Sequence, residues 1–365
     1  HIIDKKKPWK SVFITAQDLD GDILKDIVTG GWGYKNPGLP SKNWTRNTIG
    51  KNANNIANIS DYDSDGDLDI LASGWESISS HPNLLTRVKN RLNIKKHNYQ
   101  TDGEKYVCGQ NDGSGNFKIF DNIDRAKGDL LQGSTLLSVN HSSNIALSWH
   151  QANQGIQTFA IPSQPTVQQW TWKKISGTSQ DEQITSGDID NDGDYDLLLG
   201  TKWLENTQGS WAAHTLHNTK DNPDRSLLID MNSDGLLDAV IGYEAINTTG
   251  LVAWYQQTEG AMWNEHIIGS ITGPMSLSAT DMDNDDDIDI IVGEHNLEAP
   301  EDARLMWFEN TNGNATSWES HLIFRGDEHH NGAISVDIDN DGDNDIISIG
   351  WTHDRVLLYE NKKIQ

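Results

Sequence analysis

Asp61-Tyr62-Asp63-Ser64-Asp65-Gly66-Asp67-Leu68-Asp69 runs straight into the apolar pair Ile70-Leu71. Alternate acids put their oxygens on one side of a tight loop, and the glycine at the sixth place lets the chain turn. That is how a short loop surrounds a hard cation such as calcium. The apolar pair reads as the start of a buried strand.

The same wording recurs. Its first acids stand at positions 18, 61, 188, 230, 281 and 337. The expected cation ligands are Asp18, Asp20, Asp22 and Asp26, then Asp61, Asp63, Asp65 and Asp69, then Asp188, Asp190, Asp192 and Asp196. They continue with Asp230, Asn232, Asp234 and Asp238, with Asp281, Asp283, Asp285 and Asp289, and with Asp337, Asp339, Asp341 and Asp345. The closing acid comes at the ninth place, where an EF-hand has a glutamate at the twelfth. Apolar pairs follow at Ile27-Val28, Leu197-Leu198, Ala239-Val240, Ile290-Ile291 and Ile346-Ile347. The long interval after the second loop hides a unit stripped of acids: residues 133–139 read as a strand, 140–144 as a loop and 145–149 as the return strand. Seven units of roughly 40–50 residues with several short strands each predict an all-β, seven-bladed β-propeller, one domain over residues 1–365.

The units also end alike. Trp44, Trp211, Trp263 and Trp318 open one repeated pattern, which in three units carries His214, His266 and His321. The chain begins with His1-Ile2-Ile3, the tail of that pattern, and reaches only the stretch before it at Leu357–Asn361. The N-terminal strand is therefore expected to complete the seventh blade, which closes the ring and removes an exposed sheet edge. These repeated Trp and His residues read as packing between strands and blades.

The repeats resemble the FG-GAP or VCBS family of calcium-loop β-propellers, whose fold also occurs in integrin α heads and some fungal lectins. The resemblance spans nearly the whole chain and implies a propeller with about six structural calcium ions. It does not imply one activity, because one fold hosts many.

The chain carries a net charge of −26, and about half of its 54 acids lie in the repeated loops. Six bound calcium ions would bring the charge to about −14. The acidity argues against nucleic acid as a partner. No stretch is long and apolar enough for a membrane span. Cys108 is alone, so no intrachain disulfide forms. Loops of this kind fill where calcium is millimolar. The expected setting is secreted, periplasmic or cell-surface, and the start at His1 without Met reads as a processed or trimmed protein.

In each unit one strand runs into the acidic loop and the next runs back. The approach to the first and the exit of the second must share the face opposite the loops. That face is expected to carry Trp9, Trp32, Tyr34, Trp75, His150, Lys202, Glu244, Glu294 and Trp351 as substrate-binding residues. His295, His330, His353, Tyr243 and Arg225 are the catalytic candidates. The blades repeat below this rim and diverge at it, as a single asymmetric ligand site requires. Residues 77–103, an insertion in the second blade, hold Arg87, Lys89, Arg91, Lys95 and Lys96 against the single acid Asp102. Read as a solvated hairpin, they are inert; read as a wall for an anionic ligand, Arg91 binds substrate.

Two functions fit. The first is an enzyme on carbohydrate, foremost a polysaccharide lyase acting on an acidic polysaccharide or oligosaccharide by β-elimination, with glycoside hydrolysis by paired carboxylates as its variant. Several polysaccharide lyases are seven-bladed propellers, and aldos-2-ulose dehydratase is similar in its calcium-loop repeats. In this reading His295 or His330 is the base, Tyr34 or Tyr243 the acid, and Arg225, Lys202 or the basic insertion neutralises the uronate. The second is a single-site carbohydrate-binding module of lectin or adhesion type.

Overall fold

The computed structural model describes residues 1–7, 11–40, 42–74, 104–128, 130–139, 142–150, 154–180, 182–246, 248–258, 262–330 and 332–362. They form seven four-stranded antiparallel sheets, each a blade. The first blade holds Ile14–Gln17, Asp26–Thr29, Trp32–Lys35 and Thr45–Thr48, from axis to rim. Its second strand is buried throughout and its outer strand is exposed throughout. The innermost strands of consecutive blades pack side by side, the seventh against the first included, except that between the first and second blades Asp26–Thr29 packs against Asn55–Ser60. The ring is therefore closed. Among the described residues no helix is long and apolar enough to cross a membrane.

Closure follows the sequence expectation. Ile2–Asp4 forms the outer strand of the seventh blade, with Ile2 opposite Leu357 and Asp4 opposite Val356. The Leu358 amide donates to the His1 carbonyl at 2.9 Å. Asp4 also accepts from Tyr34 Oη (3.0 Å) and Arg46 Nη1 (2.9 Å). The added strand thus ties the seventh blade to the first as well as completing a sheet.

Apolar clusters fill the spaces between blades. One joins Ile14, Ile27 and Tyr34 to Ile347, Ile349, Val356 and Leu358. The stripped third unit is a full blade, Leu131–Val139, Ser142–Trp149, Ile156–Ala160 and Thr171–Ser176. Trp149, Phe159 and Trp170 anchor it in the largest-side-chain part of the core, and Trp170 meets Tyr62 of the second blade edge-on at 5.2 Å.

The ninth-place acids have a second task. Asp69 accepts the amides of Tyr62 (3.2 Å) and Asn111 (3.0 Å) on its two oxygens. Asp196, Asp238, Asp289 and Asp345 repeat this with Ile189 and Asn206, Met231 and Gln257, Met282 and Asn310, Ile338 and Asn361. Four of the side-chain amides in this third-strand position reach the preceding blade. Asn36 donates to the Ile338 carbonyl (2.7 Å), Asn111 to Leu19 (2.8 Å), Gln257 to Ile189 (2.7 Å) and Asn361 to Met282 (3.1 Å). Each acidic loop is thereby clamped to its own blade by a buried carboxylate, and four of the six are tied to the neighbouring blade by a carboxamide.

Candidate functional site

Innermost strands enter the acidic loops and second strands leave them, so the mouth opposite the loops gathers residues from several blades. At its centre lies His330, three residues before the innermost strand of the seventh blade, Ala333–Val336. Its ring centroid is 4.4 Å from that of His295, which follows the sixth blade's second strand, Asp289–Glu294. Glu182, just ahead of the fourth blade's Thr185–Gly187, and Asp224 and Arg225, on the fifth blade's Pro223–Ile229, complete the group. A ligand atom each of Glu182, Asp224 and His330 lies within 4.8 Å of the others, and the same holds for His295, Glu328 and His330.

Glu328 organises one side. One of its oxygens accepts from His295 Nδ1 (2.6 Å) and the His330 amide (2.7 Å). The other accepts the amides of Trp351 (2.7 Å) and Thr352 (2.9 Å) and the Thr352 hydroxyl (3.2 Å). Burial alone would raise its carboxyl; the hydrogen bond and charge of His295 hold it down at about 2. The Glu328–His295 bond leaves Nε2 as the free face of the His295 imidazole. Gly350 makes room for this loop, since a Cβ there would stand 2.2 Å from the Glu328 carbonyl oxygen and 2.7 Å from its carboxylate.

The other side is an ion-pair cluster. Arg225 Nη1 bonds Glu182 and Asp224, both at 2.8 Å, and His150 Nδ1 meets Glu182 at 2.8 Å. Burial works to raise Glu182, but the Arg225 charge and the His150 hydrogen bond hold it well below the usual carboxylate range. Burial pushes Asp224 well above that range, and its Oδ2 has no partner. The His330 ring belongs to both sides and, among the described residues, both of its nitrogens lack a partner, although the residue is only 6 % exposed. Burial, then the neighbouring His295, lower it to about 3, so it is a neutral imidazole at physiological pH.

The sequence candidates divide. His295, His330, Arg225 and His150 come together, and Trp351 sets its ring edge-on to His330 at 5.7 Å. His353 is near but committed: one ring nitrogen meets the Glu328 carbonyl (2.9 Å) and the other the Arg355 amide (3.1 Å). Tyr34 is not at the mouth. It is buried in the core and bonded to Asp4. Trp32 stacks under Arg46, 4.0 Å from the ring centroid. Tyr243 is buried against Tyr255, which passes a hydrogen bond to Glu265 (2.8 Å). Glu294 is consumed by Arg304 and the amides of Thr272 and Arg304. Lys202 opens the fourth blade's third strand, and Glu244 takes a backbone bond from its amide to Asn222. Trp9, Trp75, Arg91 and all of residues 77–103 lie outside the described residues. Arg225 cannot serve as a free counter-charge while it joins two carboxylates, and neither tyrosine proposed as an acid reaches the cluster.

Glu328 and Lys7 escaped the sequence reading. Glu328 stands directly before His329-His330, and a carboxylate beside a histidine pair in a loop feeding an innermost strand was the available signal. Lys7 is 2 % exposed, and burial lowers it to about 8 against the opposing charges of Asp354 and Glu328.

On the opposite face the loop acids converge. Oxygens of Asp18, Asp20 and Asp22 lie within 4.8 Å of one another, as do those of Asp61, Asp63 and Asp69. Asp20, Asp63, Asp188 and Asp339 each keep a buried oxygen without a hydrogen-bond partner. In the first loop Lys35 Nζ lies on Asp20 and, at 3.3 Å, on Asp22. These are oxygen-only donor sets, which fit a hard cation.

An FG-GAP-like repeat is recognised at residues 230–292, from the acidic loop of the fifth blade into the second strand of the sixth. Among solved structures, BBS1N, crystallised in complex with ARL6DN, superimposes with a TM-score of 0.51 at 9% identity, over 99% of this chain and 93% of that one. A putative 6-phosphogluconolactonase from Bacteroides uniformis gives a TM-score of 0.48 at 10% identity, over 88% and 86%. At such identity the likeness is of fold alone. No curated protein matches the sequence. The recognised repeat, the seven four-stranded blades and the ring closed by the N-terminal strand make this chain an FG-GAP-type β-propeller.

Proposed function

We propose that the chain is a secreted, calcium-stabilised enzyme on carbohydrate, and that it cleaves an acidic polysaccharide by β-elimination at the axial mouth. The observation that carries this reading is the His295–Glu328 pair at 2.6 Å, set beside an imidazole that no protein group satisfies. A carboxylate on Nδ1 fixes the tautomer and makes Nε2 a base. That base takes the proton from the carbon next to the uronate carboxylate. The C–H electrons form the carbon–carbon double bond, the glycosidic C–O bond breaks, and the leaving oxygen receives a proton. His150, half exposed and paired to Glu182, is the imidazole placed to give that proton. Glu328 is a positioning residue that acts through His295. Calcium in the loops opposite is supported by their oxygen donor sets and their unpartnered buried carboxylate oxygens. Such loops fill where calcium is millimolar, which supports a setting outside the cytosol.

Incubation with a panel of acidic polysaccharides tests the reading. Unsaturated products absorbing in the ultraviolet are expected, and His295→Ala should cost at least ~10²-fold in rate with the circular dichroism spectrum unchanged. New reducing ends without that absorbance would replace elimination by hydrolysis. A second reading, a single-site carbohydrate-binding module, is favoured by the burial of the cluster, with His295 only 4 % exposed. Saturable binding of one oligosaccharide without any product would establish it.

A further inference from the structure

The centre of the mouth holds a buried imidazole and a buried carboxylate oxygen with nothing to bond. Among the described residues, His330 Nδ1 and Nε2 and Asp224 Oδ2 have no hydrogen-bond partner. Each unsatisfied polar atom of this kind destabilises the fold by its lost hydration. Close packing would normally remove such groups from a core or give them partners. A ligand atom of each of these two residues lies within 4.8 Å of the other and of one from Glu182. We propose that Glu182, Asp224 and His330 bind a divalent transition metal, zinc being the natural occupant.

The ligand types separate this site from the acidic loops. One imidazole with two carboxylates suits zinc and its neighbours, whereas calcium takes oxygen alone. A tetrahedral shell at about 2.0–2.1 Å places ligand atoms about 3.4 Å apart, so the three groups need to close by little more than 1 Å. Three protein ligands leave a fourth position open, the pattern of a catalytic rather than a structural centre.

Glu328 is excluded as a ligand although it lies equally near. A carboxylate offers about four lone-pair directions. Glu328 already accepts from His295, from three backbone amides and from the Thr352 hydroxyl. It serves as the carboxylate that fixes a neighbouring histidine and the backbone carrying His330. Arg225 and His150 play the same part for the carboxylates, bonding Glu182 and Asp224 from behind. Ligating groups held in this way are the rule at metal centres.

This inference rests on the lyase reading for its purpose. The metal would neutralise the uronate carboxylate, the task that Arg225, already shared by two acids, does not perform. Its test does not depend on activity. The full chain is stripped with a transition-metal chelator, returned to millimolar calcium so that the acidic loops are filled, and titrated with zinc alone by calorimetry. One zinc per chain is expected. Asp224→Asn and His330→Ala should each weaken it at least about 100-fold, more than loss of a supporting residue does. His321→Ala, which breaks the half-buried Glu309–Glu319–His321 group, should leave it unchanged. If the site variants do not fold, cobalt on the unsubstituted chain decides: a d–d spectrum of a four- or five-coordinate centre with imidazole bound supports the site. No stoichiometric zinc in calcium, zinc lost with His321→Ala, zinc kept by both site variants, or a weak six-coordinate oxygen-only cobalt spectrum would overturn it. Zinc bound without cleavage of any polysaccharide removes the lyase reading and leaves the site standing. Cleavage at full rate by the zinc-free chain removes the proposed purpose, and the site then stands or falls on the titration.

Discussion

His353 shows how one residue can be close to a functional cluster without belonging to it. Its neutral imidazole meets the Glu328 carbonyl with one nitrogen and the Arg355 amide with the other. Protonation would turn the accepting nitrogen into a donor facing a donor. Burial, with Arg355 nearby, lowers the group to about 4 in the folded chain. The unfolded state, at an ordinary value near 6.5, therefore binds the proton first. Stability is complete above about pH 6.5 and falls as the pH drops towards 4, by about 2–3 kcal/mol for this residue. His353→Gln should flatten that slope in urea titrations run from pH 7 to 4.5; an unchanged slope would mean the imidazole does not sense the folded environment. From sequence, His295, His330 and His353 looked alike, since none repeats between blades. Their divergence at the rim was readable, but hydrogen-bond saturation, which separates a base and a ligand from a structural histidine, depends on backbone groups far along the chain. Glu328, which bonds all three, left only its place before His329-His330 as a signal, and its role depends on the same distant contacts.

At the scale of the element, the repeated loop was the most legible feature and still held a surprise. Spacing made every alternate acid a cation ligand. The structure gives the ninth-place acids a further role, because both oxygens of Asp69, Asp196, Asp238, Asp289 and Asp345 accept amides. The third-strand Asn or Gln completes the clamp, and the recurrence of Glu-Asn at Asn206, Asn310 and Asn361 was its trace in the sequence. Asn361→Ala removes the bond to the Met282 carbonyl of the neighbouring blade but keeps the backbone bond to Asp345. It should cost about 1–2 kcal/mol, read as a fall in unfolding midpoint at constant m. Asn206→Ala should cost less, because its side chain bonds only within its own blade, to the Tyr195 carbonyl at 3.1 Å, and to the turn at Gly209. Equal losses would show that the bond between blades adds nothing.

For the whole molecule, ring closure was fully readable, because the chain starts with the tail of a repeated pattern and reaches, at Leu357–Asn361, the stretch that precedes that pattern elsewhere. Deleting residues 1–4 takes away the seventh blade's outer strand and the Asp4 bonds to Tyr34 and Arg46 in the first blade. Thermal unfolding should begin at least about 5 °C lower; an unaltered melting curve would contradict closure. The third blade departs from the other six, for its stability owes nothing to acidic loops. It is joined to the second blade by Ser134 on the Ala57 carbonyl and by Tyr62 against Trp170, and to the fourth by Thr135 on Ser186. The ring is thus one blade without an acidic loop beside six whose loops concentrate negative charge. With calcium in those loops, as proposed, its withdrawal should not soften the molecule evenly. Amide hydrogen exchange after chelation should accelerate in strands flanking the loops at 61–69, 188–196 and 281–289, while residues 131–139 and 145–149 keep their protection. Uniform acceleration around the ring would mean that the blades unfold as one unit. Uneven acceleration would make the third blade the persistent remnant, and the last part to exchange would be the one that had lost the repeat by which the fold is recognised.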